Sequence, residues 1–251
     1  MAAFISGATR GIGLALVKKL LAAPTGSVIA AGRSVADSAA LRELREQYSP
    51  ERLVLVPMDV AEESSITSAV AGLDPSLQIE TLVHCAAMMH PSGKGETSIA
   101  KVDAESMSTV LATNVIGPAT LTAALWPRLR RKKAELEEFG PSKIIAVGAG
   151  VGSIGTNAAG GWYSYRVSKT ALQALMMNLA IEGKRSGVHA FSLYPEMVET
   201  EFSAPYQRNN PYDTLRTPEE TAERMLDLVS GYTAADSGRF VNIWSEEDIP
   251  W

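Results

Sequence analysis

One cysteine, Cys85, stands in the whole chain, so no intrachain disulfide can form. Such sparing use suits a reducing compartment. Histidine is also scarce: His84, His90 and His189 match no metal-ligand spacing, and no metal site is expected. No apolar run reaches the roughly 18 residues that a membrane span needs. No signal-peptide pattern opens the sequence, and the first strand pattern starts almost at Met1. The one basic run, 128–133, is followed directly by Glu135, Glu137 and Glu138. It therefore reads as a solvated helix end rather than a nucleic-acid patch. A net charge of −5 points the same way. Repeats, low-complexity tracts and linkers are missing as well. These absences predict a soluble, cytoplasmic protein that binds neither nucleic acid nor membrane.

The 251 residues present are 46% hydrophobic and 20% charged, enough for a large core without a disulfide or metal staple. Strand and helix patterns alternate. Strands are predicted over 2–5, 27–32, 53–57, 79–85, 143–147, 188–194 and 238–243, the last closing the sheet. Helices are predicted from 14 to 21 and over 38–48, 62–73, 104–113, 117–133, 162–184 and 218–230. Such alternation implies parallel strands joined by helical crossovers. The expected fold is α/β: a Rossmann-type, doubly wound, mostly parallel seven-stranded sheet with helices on both faces, in a single domain over 1–251. Residues 132–142 read as a polar exposed loop, and 201–217 as an irregular loop after strand six. Ligands bind at the carboxyl ends of strands in such sheets.

The richest local signal is Ser6-Gly7-Ala8-Thr9-Arg10-Gly11-Ile12-Gly13, between the first strand and the first helix. Glycines permit a tight turn and close approach of backbone to ligand. The free amides and positive dipole end of the new helix then face the phosphates of a dinucleotide. A tight βα turn without ligand is the bland reading of the same residues.

Far downstream, Tyr165 and Lys169 stand four apart at the start of the 162–184 helix, on one face. A tyrosine titrates near pH 10 and is a poor acid or base at neutrality. An ammonium one turn away would lower that pKa and make a workable proton donor to a carbonyl. Tyr163 lacks such a partner. By itself the pair also describes an ordinary helix on which tyrosine packs and lysine snorkels.

With both motifs present, the chain resembles the short-chain dehydrogenase/reductase family over nearly its whole length. Ser6–Gly13 is similar to that family's Thr-Gly-x-x-x-Gly-x-Gly turn, and Tyr165 and Lys169 match its catalytic pair. Residues 152–154 and 160–166 look most like the C-factor and sniffer-type carbonyl reductases. The resemblance implies cofactor contacts from Gly7, Thr9, Arg10, Gly11, Ile12 and Gly13, and adenine contacts from Asp59 and Val60. It implies passage of the cofactor over Ala86 and Ala87, and nicotinamide contacts from Pro195, Val198 and Thr200. It also implies that Lys169 bonds the nicotinamide ribose and that Asn114 orders a water behind Lys169. A homodimer or homotetramer is implied too, built on the helices at 117–133 and 162–184. The apolar residues Leu172, Leu175, Met176 and Leu179 suit that interface and equally suit packing on the chain's own sheet.

Three departures stand out. His84-Cys85-Ala86-Ala87 replaces the family's Asn-Asn-Ala-Gly. Glu196 replaces the glycine after Pro195, which puts a carboxylate near the expected nicotinamide entrance. At the end of strand five Ala149 stands where the family has its catalytic serine. Counting back from Tyr165 reaches Ser153 instead, and two readings of it stand: the substrate's hydrogen-bond donor, or an ordinary loop serine.

Strand two ends in Arg33 rather than in the acid of NAD-specific sites, and Arg10 adds a second guanidinium on the same side. Guanidinium forks match a phosphate, so NADP is the expected cofactor. The leading reading is an NADPH-dependent reductase of a ketone or aldehyde, with an apolar or aromatic substrate suggested by Trp162, Met197, Phe202, Tyr206 and Tyr212. A rival is an NADP(H)-binding sensor or scaffold with little redox activity. A third keeps the site but reduces an imine or epimerises.

Overall fold

The computed structural model describes residues 1–212 and 214–251. Asp213, inside the loop expected at 201–217, lies outside the described residues. Seven parallel strands form one sheet: β1 (Ala2–Ser6), β2 (Ser27–Gly32), β3 (Leu53–Pro57), β4 (Ile79–His84), β5 (Ser142–Val147), β6 (Val188–Tyr194) and β7 (Phe240–Asn242). Their order is β3-β2-β1-β4-β5-β6-β7. Chain order reverses between β1 and β4, where Ile5 pairs with Val83 and Ser6 with His84. That reversal opens the crevice in which open α/β sheets bind ligands.

The helices are α1 (Gly11–Ala22), α2 (Ala39–Gln47), α3 (Glu63–Ala71), α4 (Ala104–Leu111), α5 (Gly117–Leu129), α6 (Lys133–Phe139), α7 (Tyr163–Gly183) and α8 (Pro218–Gly231). Strand residues buried on both sides divide the core in two. On one face Val17 and Leu21 of α1 and Met225 and Val229 of α8 pack on Ile5, Ala30 and Phe191. On the other, Leu121 and Leu125 of α5 and Leu172 and Met176 of α7 pack on Phe4, Leu82 and Ile144. Leu172 and Met176 therefore serve the chain's own sheet.

Two expectations need correcting. Residues 132–142 are not simply a loop, because α6 occupies most of them. Lys-Ala-Glu-Leu-Glu-Glu are good helix formers, and the Glu135 carboxylate accepts the Lys132 amide at 2.7 Å. Nor is the basic run simply solvated. Arg131 is buried and donates to the Ile79 carbonyl at 2.7 Å and to Gln78 Oε1 at 3.1 Å. That inward turn ends α5 at Leu129 rather than 133.

The helices α4 and α5 are joined without a break by a wide π turn at Ala112–Ile116. The joined span Ala104–Leu129 is, by length and composition alone, apolar enough to cross a membrane, although neither part read that way in the sequence. Here it packs against α3, β4 and α7.

Candidate active site

The mouth of the crevice is built from backbone. Gly7 has φ +74, and a Cβ there would lie 2.6 Å from the Ala86 amide. A Cβ on Gly13 would lie 2.2 Å from the Gly7 carbonyl oxygen. Gly11 has φ +53 and would bring a Cβ 3.1 Å from Thr200 Cγ2. The turn after β1, the segment after β4 and the segment after β6 thus meet at glycines. Helix α1 starts there with no side chain capping it and no acid in its first turn. Uncapped amides at a helix start are an anion site that awaits an acceptor. This cradle fits a dinucleotide pyrophosphate.

The remaining residues expected at the cofactor follow the carboxyl ends of β2, β3, β4 and β6. Thr9 packs over Gly32 at the end of β2. Arg33 follows it, exposed. Asp59 Oδ1 accepts the Ala61 amide at 2.9 Å, and the Asp59 amide is held by Ser65 Oγ at 2.9 Å. Val60 lies under α5, where a Cβ on Gly117 would sit 2.3 Å from its carbonyl oxygen. Ala86 touches Gly7, and Ala87 follows. The carbonyl of Pro195 accepts the Trp244 indole at 3.0 Å, and Val198 is buried and bridged to Arg216. Arg10 departs from expectation. Its guanidinium pairs with Glu201 at 2.6 Å, both side chains more than two-thirds exposed.

Deeper in the crevice the site is made of side chains. Tyr165 is 6% exposed and packs with Met89 and Ala149, with Val151, Trp162, Phe202 and Tyr206 against them. Its ring tilts on Phe202 at 5.9 Å between centroids. Lys169, one turn along α7, is 3% exposed, and its Nζ lies 5.7 Å from the Tyr165 ring centre. It donates to the Val147 carbonyl at 2.9 Å. Burial pulls its pKa down to about 8, against a smaller opposing pull from Cys85. Burial, and then Tyr206, push the Tyr165 phenol up. The lowering of Tyr165 expected from Lys169 is not what these surroundings give: burial raises the phenol, and the Lys169 ammonium is bonded to the Val147 carbonyl. Cys85 is pushed up to about 11 by burial.

Asn114 lies at the π turn, a common mark of functional sites. Its Oδ1 accepts the Met88 amide at 2.8 Å, and its Nδ2 donates to the Met88 carbonyl at 2.8 Å and to Ser168 Oγ at 2.9 Å. Both amide protons are thus used to tie the segment after β4 to α7, one residue before Lys169.

Ser153 is the main correction. It is 2% exposed and donates to the Pro250 carbonyl at 2.5 Å while accepting the Thr156 amide at 3.2 Å. Of the two readings, the loop serine holds: the hydroxyl fastens the chain end to the turn after β5. Glu196 also points elsewhere. At φ +59 it accepts from Asn242 Nδ2 at 2.9 Å, so its carboxylate faces β7 instead of the crevice. His84 fills the missing asparagine's position by bonding Thr122 Oγ1 at 2.8 Å, and burial drives its pKa down to about 3.

The sequence carries no signal for Glu96 or for the hydroxyl of Tyr206. Trp162 enters α7 at φ +48, and no residue of its own caps the helix. The cap comes from the buried Glu96 carboxylate, which accepts the Ser164 amide at 3.2 Å and the Ser164 hydroxyl. Its carbonyl accepts the Trp162 amide at 2.6 Å. These bonds hold the Glu96 carboxyl below its usual range despite burial. A carboxylate at a helix N-terminus is also favoured by the dipole. Nothing local marks Glu96, which lies 68 residues from Ser164. Of the aromatics suggested for the wall, Trp162, Phe202 and Tyr206 are on it, whereas Tyr212 is bonded to the Tyr194 hydroxyl.

The model of the short chain dehydrogenase family matches residues 1–211. C-signal of Myxococcus xanthus is 28% identical over 154 residues, covering 61% of this chain and 84% of that protein. The NADPH-bound carbonyl reductase from chicken fatty liver superposes with a TM-score of 0.83 at 27% identity, over 100% of this chain and 98% of that one. The carbonyl reductase Sniffer of D. melanogaster, at 24% identity, shares the fold with a TM-score of 0.85, over 100% of this chain and 99% of the other.

Proposed function

This chain belongs to the short-chain dehydrogenase family, and from that premise we propose that it reduces a ketone or aldehyde to an alcohol with NADPH. The observation that carries the proposal is the buried Tyr165–Lys169 pair on α7, set against an apolar wall at the inner end of a glycine cradle. When bound, the nicotinamide supplies the hydride. The chain supplies geometry and the proton. A phenol pushed up by burial stays protonated at neutral pH and can donate from Oη to a developing alkoxide. Lys169 Nζ, held at the Val147 carbonyl, would bond the ribose hydroxyls and draw the Tyr165 pKa down once the crevice is filled. Asn114 and Glu96 fix α7 so that both side chains keep their register.

NADP is preferred over NAD because Arg33 stands where an acid would otherwise meet the ribose. Arg10 can join it. Its exposed pair with Glu201 is worth no more than about 1 kcal/mol, so a phosphate can displace the carboxylate. The wall of Met89, Val151, Trp162 and Phe202 favours an apolar or aromatic carbonyl compound. We further propose a cytoplasmic homo-oligomer.

A second reading, an NADP(H)-binding protein without turnover, is favoured by Ala149 and by the diversion of Ser153 to Pro250. One experiment separates the two. NADPH binding is followed by tryptophan fluorescence, and its oxidation by absorbance with benzaldehyde and phenyl alkyl ketones. Turnover that falls at least about 10²-fold in Tyr165→Phe while NADPH still binds supports the reductase, since positioned proton transfer is worth that much. NADPH binding without turnover on any carbonyl supports the sensor or scaffold.

A further inference from the structure

The turn after β5 offers no hydroxyl to a substrate: Ala149 faces the Tyr165 cluster, and Ser153 is turned to Pro250. A carbonyl oxygen at Tyr165 would then have one donor, unless a second comes from another element. Tyr206 is on the loop after β6 and reaches the same cluster as Ala149 and Tyr165. Its ring packs on Trp162 at 4.6 Å with a 60° tilt. The Gly95 amide donates to its hydroxyl oxygen at 3.1 Å. That bond and the Trp162 contact fix both the plane and the tip of the ring. They also use the oxygen only as acceptor, so the phenolic proton is given to no protein group among the described residues. Gly95 is itself seated for this role, since a Cβ there would fall 2.5 Å from Trp162 Cδ1.

Tyr206 and Tyr165 share one cluster, with Tyr206 packed against Met89, Ala149 and Tyr165. The other phenol of the region is less suited. The Tyr194 hydroxyl is closed in a bond with Tyr212 and lies against Gly150.

We propose that Tyr206 is a catalytic residue: its hydroxyl donates a hydrogen bond to the substrate carbonyl oxygen beside Tyr165, in place of the hydroxyl that Ala149 lacks. The assignment rests on the reductase reading. The proton delivered to the alkoxide comes from Tyr165, and Tyr206 keeps its own. It stabilises the charge that develops on oxygen, as donors around an oxyanion do. Because the donor rides on the loop after β6 and is steadied by the segment after β4, the pocket gains its second hydroxyl only when these two segments meet over α7.

The test uses the full-length protein with NADPH and benzaldehyde. Tyr206→Phe keeps the ring on Trp162 and removes only the hydroxyl. It is expected to lower kcat by about 10- to 10³-fold, the range for loss of one such donor, with the affinity for NADPH within about twofold of wild type. Ala149→Ser in the Tyr206→Phe background is expected to recover most of the lost kcat. That recovery would not follow from a merely structural Tyr206, whose role would be to accept the Gly95 amide, because a serine at 149 is introduced as a donor to the substrate. Tyr206→Phe with wild-type kcat, a loss that Ala149→Ser does not repair, or a larger loss in Tyr194→Phe overturns the assignment. Wild-type turnover lost in Tyr165→Phe yet kept in Tyr206→Phe sinks this assignment alone and leaves the reductase standing. Wild-type protein that binds NADPH and turns over no carbonyl sinks both.

Discussion

The outer and inner halves of the crevice are made in different ways. The outer half, at β1, α1 and β4, is a backbone surface: Gly7, Gly13 and the Ala86 amide touch where no side chain could fit. The inner half, at β5, α7 and the loop after β6, is a side-chain surface. There Lys169, Asn114, Glu96 and Tyr206 are held by bonds between residues 22 to 111 positions apart, and Tyr165 by packing. A backbone surface tolerates one residue type at each contact. A side-chain surface can draw on more than one position: Ala149 brings no hydroxyl there, and Tyr206 packs against the same cluster.

The largest effect should come from violating the backbone half. Gly13→Ala forces a Cβ to 2.2 Å from the Gly7 carbonyl. It is expected to abolish measurable NADPH binding in a fluorescence titration and to destabilise the fold by about 1–3 kcal/mol, as overpacking does. Wild-type affinity in that variant would remove the contrast.

Next comes the buried charge of the inner half. Burial holds the folded Lys169 ammonium down at about 8, below the 10.5 of a free lysine. Below pH 8 both states are protonated, and the burial penalty is fully present. Between pH 8 and 10.5 the unfolded state binds more protons, so stability rises with pH. Lys169→Met should therefore be inactive yet more stable than wild type at pH 7, by on the order of 3 kcal/mol from about 1.4 kcal/mol per pKa unit. That gap should close by pH 10.5 in chemical denaturation. A variant less stable than wild type at pH 7 would show that the bond to the Val147 carbonyl outweighs the burial penalty.

The smallest effect is expected at Ser153. Ser153→Ala should leave kcat with benzaldehyde within about twofold of wild type. It should lower stability by about 1 kcal/mol through loss of the bond to Pro250. A large fall in kcat at unchanged stability would return the serine to the chemistry and blur the two halves.

Legibility follows the same division. Gly7, Gly11 and Gly13 could be read because the demand on them is local: a turn, a positive φ, a helix start. Tyr165 and Lys169 could be paired because helical spacing alone puts them on one face. Ser153 could not be settled, since its fate depends on Pro250, 97 residues away. The same holds for Arg10, whose partner Glu201 lies 191 residues off. Glu96 carried no signal, because a carboxylate in a polar loop looks like any other until α7 is set upon it. Helix α6 is hidden for another reason: a polar run without apolar periodicity reads as loop, although Glu135 caps it from within.

The order of strands and helices, the glycine cradle and the Tyr-x-x-x-Lys pair were determined by the sequence itself, since each is a short-range consequence of backbone freedom or helical period. The tertiary structure decided which hydroxyl faces the apolar wall, which arginine is already paired, and which way the Tyr165 pKa moves. Those depend on desolvation and on contacts between segments far apart in the chain, quantities that exist only once the segments are packed together.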